Sequence, residues 1–124
     1  MSNDSFSNSE NIMILACSGG SNVGQLSNQT AIDLAREGVG KMSCLAGLGG
    51  KLDKFVKAAG DADKIIVIDG CEVGCGKAIM ENNGIENKNY LLITDLGIEK
   101  NKNFDLVAEE LEKVKLKAKQ LIAS

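Results

Sequence analysis

The 124-residue chain is long enough for one hydrophobic core and too short for two full domains. Its net charge of −3 at pH 7 and its aromatic content of 3% argue against nucleic-acid binding, which needs positive charge and stacking rings. The absence of histidine excludes Ser–His–Asp and Cys–His catalysis as well as histidine metal ligands. No apolar segment approaches the length of a membrane span, so we expect neither nucleic acid nor a membrane among the partners.

Residues 1–11 are polar and rich in Ser and Asn, and we expect them to form a disordered tail before a single domain over residues 12–124. The tail carries no Lys or Arg, and the apolar run after it is too short for a signal peptide. We therefore expect a cytoplasmic protein, in which cysteines stay reduced. The sequence does not determine the oligomeric state.

The first half of the chain predicts two strand–helix units. A short buried strand at residues 12–16 is followed by a Ser/Gly-rich loop and a helix that ends near residue 37. A weaker strand is predicted at residues 41–45, with Cys44 inside it. The second helix, over residues 51–59, places four apolar side chains on one face: Leu52, Phe55, Val56 and Ala59.

The second half predicts two further units. The continuous β-branched run at residues 65–68 makes residues 64–69 the strongest strand signal, of the kind buried on both faces. A helix at residues 74–83 and a strand at residues 90–94 follow. Asn103 is a suitable cap for a long last helix. The apolar stripe of that helix comprises Val107, Leu111, Val114, Ala118 and Leu121.

This alternation predicts a three-layer α/β/α sandwich with a four-stranded, mainly parallel sheet of the Rossmann- or flavodoxin-like type. We expect the strand order 2-1-3-4, which puts the switch point between the first and third strands. Ligands of such sheets bind beyond the carboxyl ends of the strands at that point. The loops at residues 17–24 and 69–75 flank it.

All four cysteines follow this pattern. Cys17, Cys44 and Cys71 are evenly spaced, each at or just past the end of an apolar run, and Cys75 lies one helical turn after Cys71. Because parallel strands end on the same edge of a sheet, we expect the thiols to share one rim. In a reducing compartment such a cluster indicates metal or redox chemistry. Four thiolates suit zinc, and an iron–sulfur cluster uses the same ligands.

The Asp-Gly-Cys segment at residues 69–71, preceded by the β-branched run and followed by Cys75, resembles the signature of the DGC domain family of zinc-binding proteins. The Cys-Ser-Gly-Gly segment at residues 17–20 and the central Cys44 are also similar to that family's pattern. The resemblance covers nearly everything after residue 11. It assigns no biochemical role, and it implies that the metal ligands are Cys17, Cys44, Cys71 and Cys75.

Two enzymatic alternatives stay open. The Cys17 loop resembles the nucleophile loop of low-molecular-weight tyrosine phosphatases and related arsenate reductases, in which a helix N-terminus favours the thiolate. That loop needs an arginine seven positions into the motif, and here only Arg36, far along the helix, is present. The thiols could instead serve in redox or sulfur-handling chemistry, although a Cys-x-x-Cys pair is absent. In that redox or sulfur-handling chemistry, the polar neighbours of the thiols would be Ser18, Ser21, Asp69, Glu72, Lys77 and Asp95.

A small anion or a thiol is the ligand that we expect at this edge, because helix N-termini and backbone amides favour anions. It would contact the loops at residues 18–22 and 69–76. Asp69 and Asp95 are candidates for supporting the metal ligands, although an aspartate at the end of a strand is often only a turn former.

Overall fold

The computed structural model describes residues 10–86 and 88–123, so the predicted tail lies almost entirely outside the described residues. None of the helices in these two ranges is long and apolar enough to cross a bilayer. The elements in chain order are β1 (Ile12–Ala16), α1 (Asn22–Arg36), β2 (Lys41–Met42), α2 (Leu45–Gly49), α3 (Asp53–Asp61), β3 (Lys64–Asp69), α4 (Cys75–Asn82), β4 (Asn89–Leu92), a 3-10 turn (Ile93–Leu96) and α5 (Ala108–Ala123).

The four strands form one parallel sheet in the order β2-β1-β3-β4. β1 pairs along its whole length with β3, from Ile12 opposite Lys64 to Ala16 opposite Ile68, whereas β2 is short and lies at the edge. The fold is therefore the predicted α/β sandwich with the predicted strand order. β4 ends at Leu92, two residues before the predicted end of the strand, and the chain then enters the 3-10 turn.

Each face of the sheet carries its own hydrophobic core. Ile14, Ile66 and Ile68 point to the face covered by α1 and α5. Leu15 and Val67 point to the opposite face, where they pack with side chains of α2, α3 and α4, namely Leu48, Ala59 and Met80. The two central strands are consequently buried on both sides, as the β-branched run at residues 65–68 predicts. The helices α1 and α4 lie on opposite faces, and both begin at the carboxyl edge of the sheet.

The segment between β2 and β3 differs from the prediction. β2 contains two residues, and Cys44 lies outside it as the N-cap of α2, a helix that the sequence did not predict because two of its five residues are glycine. Leu48 of α2 takes the core position in this layer. The predicted apolar face of the next helix is therefore only partly buried, since Leu52 is 56% and Val56 39% exposed.

The last helix begins at Ala108, so Asn103 is not its N-cap as predicted. Asn101 Oδ1 accepts a hydrogen bond from Asn103 N, and Asn103 Oδ1 accepts one from Asp105 N. Such local side-chain bonds to the backbone compete with helix formation. Val107 is consequently outside the helix and 42% exposed. Leu111 and Leu121 of the predicted stripe are half-buried, and the fully buried residues of α5 are Val114, Ala118 and Ile122.

At Gly70, the backbone of the loop after β3 packs directly against the backbone at the start of α1. A Cβ atom on Gly70 would lie 2.7 Å from the carbonyl carbon of Val23 and 2.8 Å from the nitrogen of Gly24. Gly24 approaches the preceding loop equally closely, since its Cβ atom would lie 2.6 Å from the carbonyl oxygen of Gly19. The glycine of the Asp-Gly-Cys segment is therefore required by its contact with the start of α1.

Replacing Gly70 by alanine should lower the free energy of unfolding by about 1–3 kcal/mol, because the new methyl group pushes the loop away from α1. Urea unfolding measures the change. Gly60→Ala is the matched control, since a Cβ atom there meets nothing within 4 Å. We expect the control to keep or slightly raise the stability, as alanine favours a helix more than glycine does. Equal losses in the two variants would contradict the packing argument.

Ion pairs centred on Lys115 join α5 to the end of α1. Lys115 Nζ, on a side chain that is 13% exposed, lies 2.9 Å from a Glu37 carboxylate oxygen and 3.5 Å from Asp33 and Glu112. Lys119 contacts Glu37 at 2.6 Å. The hydrogen bonds from Lys119 and Lys115 hold the pKa of Glu37 below its ordinary value. The bond to Glu37 in turn raises the pKa of Lys115 to about 12.

Glu37→Gln should reduce the free energy of unfolding at neutral pH by no more than about 1 kcal/mol, because the carboxylate is partly exposed. The pKa of Glu37 is lower in the folded state, so its contribution is present above the unfolded pKa of 4.5 and is lost as the pH falls through the folded value. Denaturation at neutral and acidic pH should show wild type and variant converging in acid. Glu112→Gln, at a side chain that is 71% exposed, is the control and should have the smaller effect.

Candidate functional site

The four cysteines lie together at the carboxyl edge of the sheet. Cys17 directly follows β1, and its backbone N–H donates to Ile68 O at 2.9 Å. Cys71 lies just past β3, Cys75 is the first residue of α4, and Cys44 lies between β2 and α2. Cys17 and Cys71 are half-buried, whereas Cys44 and Cys75 are exposed, and all four are free thiols. The fold thus brings the thiols to one edge, as expected for parallel strands.

Two cavities meet at Cys17 and Cys75. The larger has a volume of about 790 Å³ and is lined by Cys17, Cys44 and Cys75 together with parts of α2, α3 and α4. The smaller, of about 240 Å³, lies between the loop after β1 and the loop after β3 and is lined by Cys17, Cys71 and Cys75. Two thiols therefore belong to both cavities and stand between Cys44 on one side and Cys71 on the other.

The thiols are not arranged around a common centre. Within residues 10–86 and 88–123, no group of three or more cysteine, aspartate or glutamate side chains has the arrangement of a metal site. Two sulfur atoms have other contacts, since Cys44 Sγ accepts from Gly47 N at 3.3 Å and Cys71 Sγ accepts from Lys100 Nζ at 3.4 Å. The donor set matches zinc or an iron–sulfur cluster in its chemistry. To bind one ion, the side chains must turn toward one another.

The environment of Cys75 disfavours its thiolate form. Burial raises the pKa of Cys75, and the negative charges of Cys17, Asp69 and Cys71 raise it further. A nucleophilic or redox-active cysteine needs the opposite shift, because the thiolate is the reactive form. Although Cys75 begins a helix, the direction of its pKa shift is therefore opposite to that of an activated nucleophile.

Asp69 fixes the start of α4. Its side chain is 1% exposed and accepts three hydrogen bonds, from Gly76 N at 2.8 Å, from Lys77 N at 3.0 Å and from the Tyr90 hydroxyl at 2.7 Å. A carboxylate at this position satisfies free helix amides and stabilises the helix dipole. Burial and the bond to Asp69 raise the pKa of Tyr90, which therefore remains a donor. Asp69 is thus more than a turn former, because it sets the position of Cys75.

The other predicted polar neighbours are divided among different surfaces. Ser18 lines the larger cavity and Ser21 the smaller one. Glu72 and Lys77 line a separate cavity beside Tyr90. Asp95 is exposed in the 3-10 turn and lines neither of the two thiol cavities.

Arg36 lies in the last turn of the 15-residue helix α1, about 20 Å along the axis from the Cys17 loop. It is therefore too distant to hold an oxyanion at Cys17. The phosphatase and arsenate-reductase alternative lacks the arginine that its chemistry requires.

Backbone amides at the two helix starts already have partners inside the protein. At α1, Asn22 N donates to Asn101 O at 2.9 Å and Gly24 N donates to Ser21 Oγ at 3.1 Å. At α4, two amides donate to Asp69 as described above. A small anion would have to compete with these bonds. These four amides are therefore available to an anion only if their present bonds break.

Lys100 and Lys102 line the smaller cavity, and sequence reasoning missed both. Lys102 Nζ donates to Gly20 O at 2.6 Å, across 82 residues of sequence, and Lys100 contacts Cys71. Their one signal in the sequence was their location after the fourth strand, at the edge where parallel strands end. Phe55, which lines the larger cavity, was also missed because its side chain was assigned to a helix face, and Ile79 of α4 was missed as well.

Comparison with known proteins agrees with the Asp-Gly-Cys signature. The DGC domain model matches residues 13–118, a range that contains all four cysteines. The Pseudomonas aeruginosa protein named Anaerobic and virulence modulator AnvM is 32% identical over 110 residues, which are 89% of this chain and 84% of that protein. No solved structure has a significant match. On the extent of these matches, the chain belongs to the DGC domain family.

Proposed function

We propose that the protein binds one zinc ion through Cys17, Cys44, Cys71 and Cys75. The observation that carries this proposal is that Cys17 and Cys75 belong to both thiol cavities, between the other two cysteines. Binding one ion requires the four thiols to converge from the walls of these two cavities. Asp69 is engaged in three hydrogen bonds, and the chain has no histidine, so thiolates are the natural ligands at this edge.

Two contacts of the rim support thiolate ligands. Lys100 Nζ is 3.4 Å from Cys71 Sγ and brings a positive charge to it. The Gly47 N–H donates to Cys44 Sγ, and a thiolate accepts such a bond more strongly than a thiol. When bound, zinc supplies a divalent charge that takes the place of the thiol protons.

The proposal stops at metal binding in the cytoplasm, where four thiols remain reduced. The name of the Pseudomonas relative describes a modulator and specifies no reaction. Cys75 is not activated as a nucleophile, and the Cys17 loop has no nearby arginine, so the site offers little support for a thiol-based enzyme. We therefore assign no catalytic step.

Protein purified under reducing conditions without added zinc should contain about one zinc per chain. Elemental analysis and an absorption spectrum measure this. Replacing any one of the four cysteines by serine should lower the zinc content, because a hydroxyl is a poorer ligand than a thiolate. Ser18→Ala and Ser43→Ala are matched controls that line the larger cavity beside Cys17 and Cys44, and they should keep the metal.

If the purified protein is brown and contains iron and sulfide, then the same cysteines bind an iron–sulfur cluster instead of zinc. Reduced protein with four freely titrating thiols and no metal would contradict both. A cysteine variant with undiminished zinc content would remove that residue from the ligand set.

Removal of zinc with a chelator should lower the melting temperature and leave the far-UV circular dichroism largely unchanged. The reason is that both hydrophobic cores are built from strands and helices and can form without the thiol rim. A Cys17→Ser variant that lacks zinc is the control, and chelator should not lower its melting temperature further. Loss of the helical spectrum on chelation would show that the metal is required for folding.

A further inference from the structure

We infer that the larger thiol cavity binds an uncharged aromatic small molecule. Three of the four proposed zinc ligands line this cavity, and the inference rests on the character of the whole lining rather than on the metal. The volume of about 790 Å³ is within the range of small-molecule sites, roughly 300–1,000 Å³. One organic molecule is therefore the occupant that matches its size.

The lining excludes a charged ligand. Among the described residues that line this cavity there is no Asp, Glu, Lys or Arg, although a quarter of the chain is charged. Its apolar walls come from four elements, through Met42, Leu45, Phe55 and Ile79. A charged group placed here would lose water without gaining a partner of opposite charge, which is unfavourable. The lysines of this edge line the smaller cavity instead.

The sulfur content of the lining favours an aromatic ligand. Cys17, Cys44, Cys75 and Met42 bring four sulfur atoms to one cavity, and Phe55 brings a ring. Sulfur atoms make favourable contacts with aromatic rings, and aromatic rings pack edge-to-face or offset on one another. Methionine also adapts its flexible side chain to the shape of a bound molecule. A planar ring system therefore gains more from these walls than an aliphatic chain of the same size.

A few polar groups can orient such a molecule. Ser18, Asn28 and Ser43 line the same cavity. Their hydroxyl and amide groups supply both donors and acceptors. The ligand can accordingly carry one or two uncharged polar atoms, such as a carbonyl or an amine, in addition to its rings. This combination of apolar walls and a few polar groups is typical of small-molecule sites.

Titration with the uncharged aromatic dye Nile red, followed by its fluorescence, tests the inference on the protein as purified. We expect saturable binding of one dye per chain. Ala46→Trp places a large ring at an exposed helix position that lines the cavity, and it should weaken binding at least about tenfold. Ala78→Trp adds the same ring at an exposed alanine of α4 outside this cavity, and it should leave the dissociation constant unchanged.

Equal binding by the two variants, or binding without saturation, would overturn the inference. Amide chemical shifts of the wild-type protein give a second measurement that needs no variant. Nile red should shift the amides of residues 42–46, 55 and 79, and shifts confined to other regions would also overturn it. Zinc is measured on the same samples. Dye binding without zinc supports the inference and contradicts the proposed function, whereas zinc without dye binding contradicts the inference alone.

Discussion

The buried carboxylate of Asp69 determines how the loop that carries Cys71 and Cys75 is attached to the sheet. It accepts bonds from two amides of α4 and from Tyr90 of β4, so that three elements are joined at the end of β3. A carboxylate that is 1% exposed would be strongly unfavourable without these donors. The loop at residues 70–75 is therefore anchored at both ends, and the distance between its two cysteines depends on that anchoring.

Close backbone packing places the other loops around this anchor. Gly70 rests against the start of α1, and Gly24 rests against the loop after β1, so Cys17 is held beside Cys71 and Cys75 without any bond between the sulfur atoms. The electrostatic character of the edge then differs on the two sides of Cys17 and Cys75, the two thiols that line both cavities. Lys100 and Lys102 make one side positive, and the other side is apolar and lined by sulfur. A metal at the shared thiols would lie between these two environments.

Local patterns predicted the sheet and the thiol edge well. The β-branched run at residues 65–68 and the regular alternation of strands and helices indicate a parallel α/β sheet. Handedness and short connections then leave few topologies, and the preferred strand order among them is the one observed. The common edge of the cysteines follows from parallel pairing alone. These features depend on the periodic pattern of apolar and polar residues, which can be read from one sequence.

The features that the sequence did not predict depend on contacts between distant residues or on competing local bonds. α2 contains two glycines and gains its stability by burying Leu48, which no local pattern indicates. Asn103 bonds to its own neighbours instead of capping a helix. Lys102 reaches Gly20 across 82 residues. The position of each sulfur atom within the rim is likewise set by tertiary contacts, so the sequence indicates that the thiols meet but not how closely.

The central position of β1 affects the order in which the protein can assemble during synthesis. β1 precedes the other three strands of the described sheet in the chain, yet its full-length partner is β3, and the segment between them supplies only the two-residue β2. Its five apolar residues must therefore wait, on the order of seconds at ordinary translation rates, until the ribosome has released β3. Pairing of strands so distant in sequence is also intrinsically slow. The nascent chain consequently exposes the apolar residues of β1 until the sheet closes.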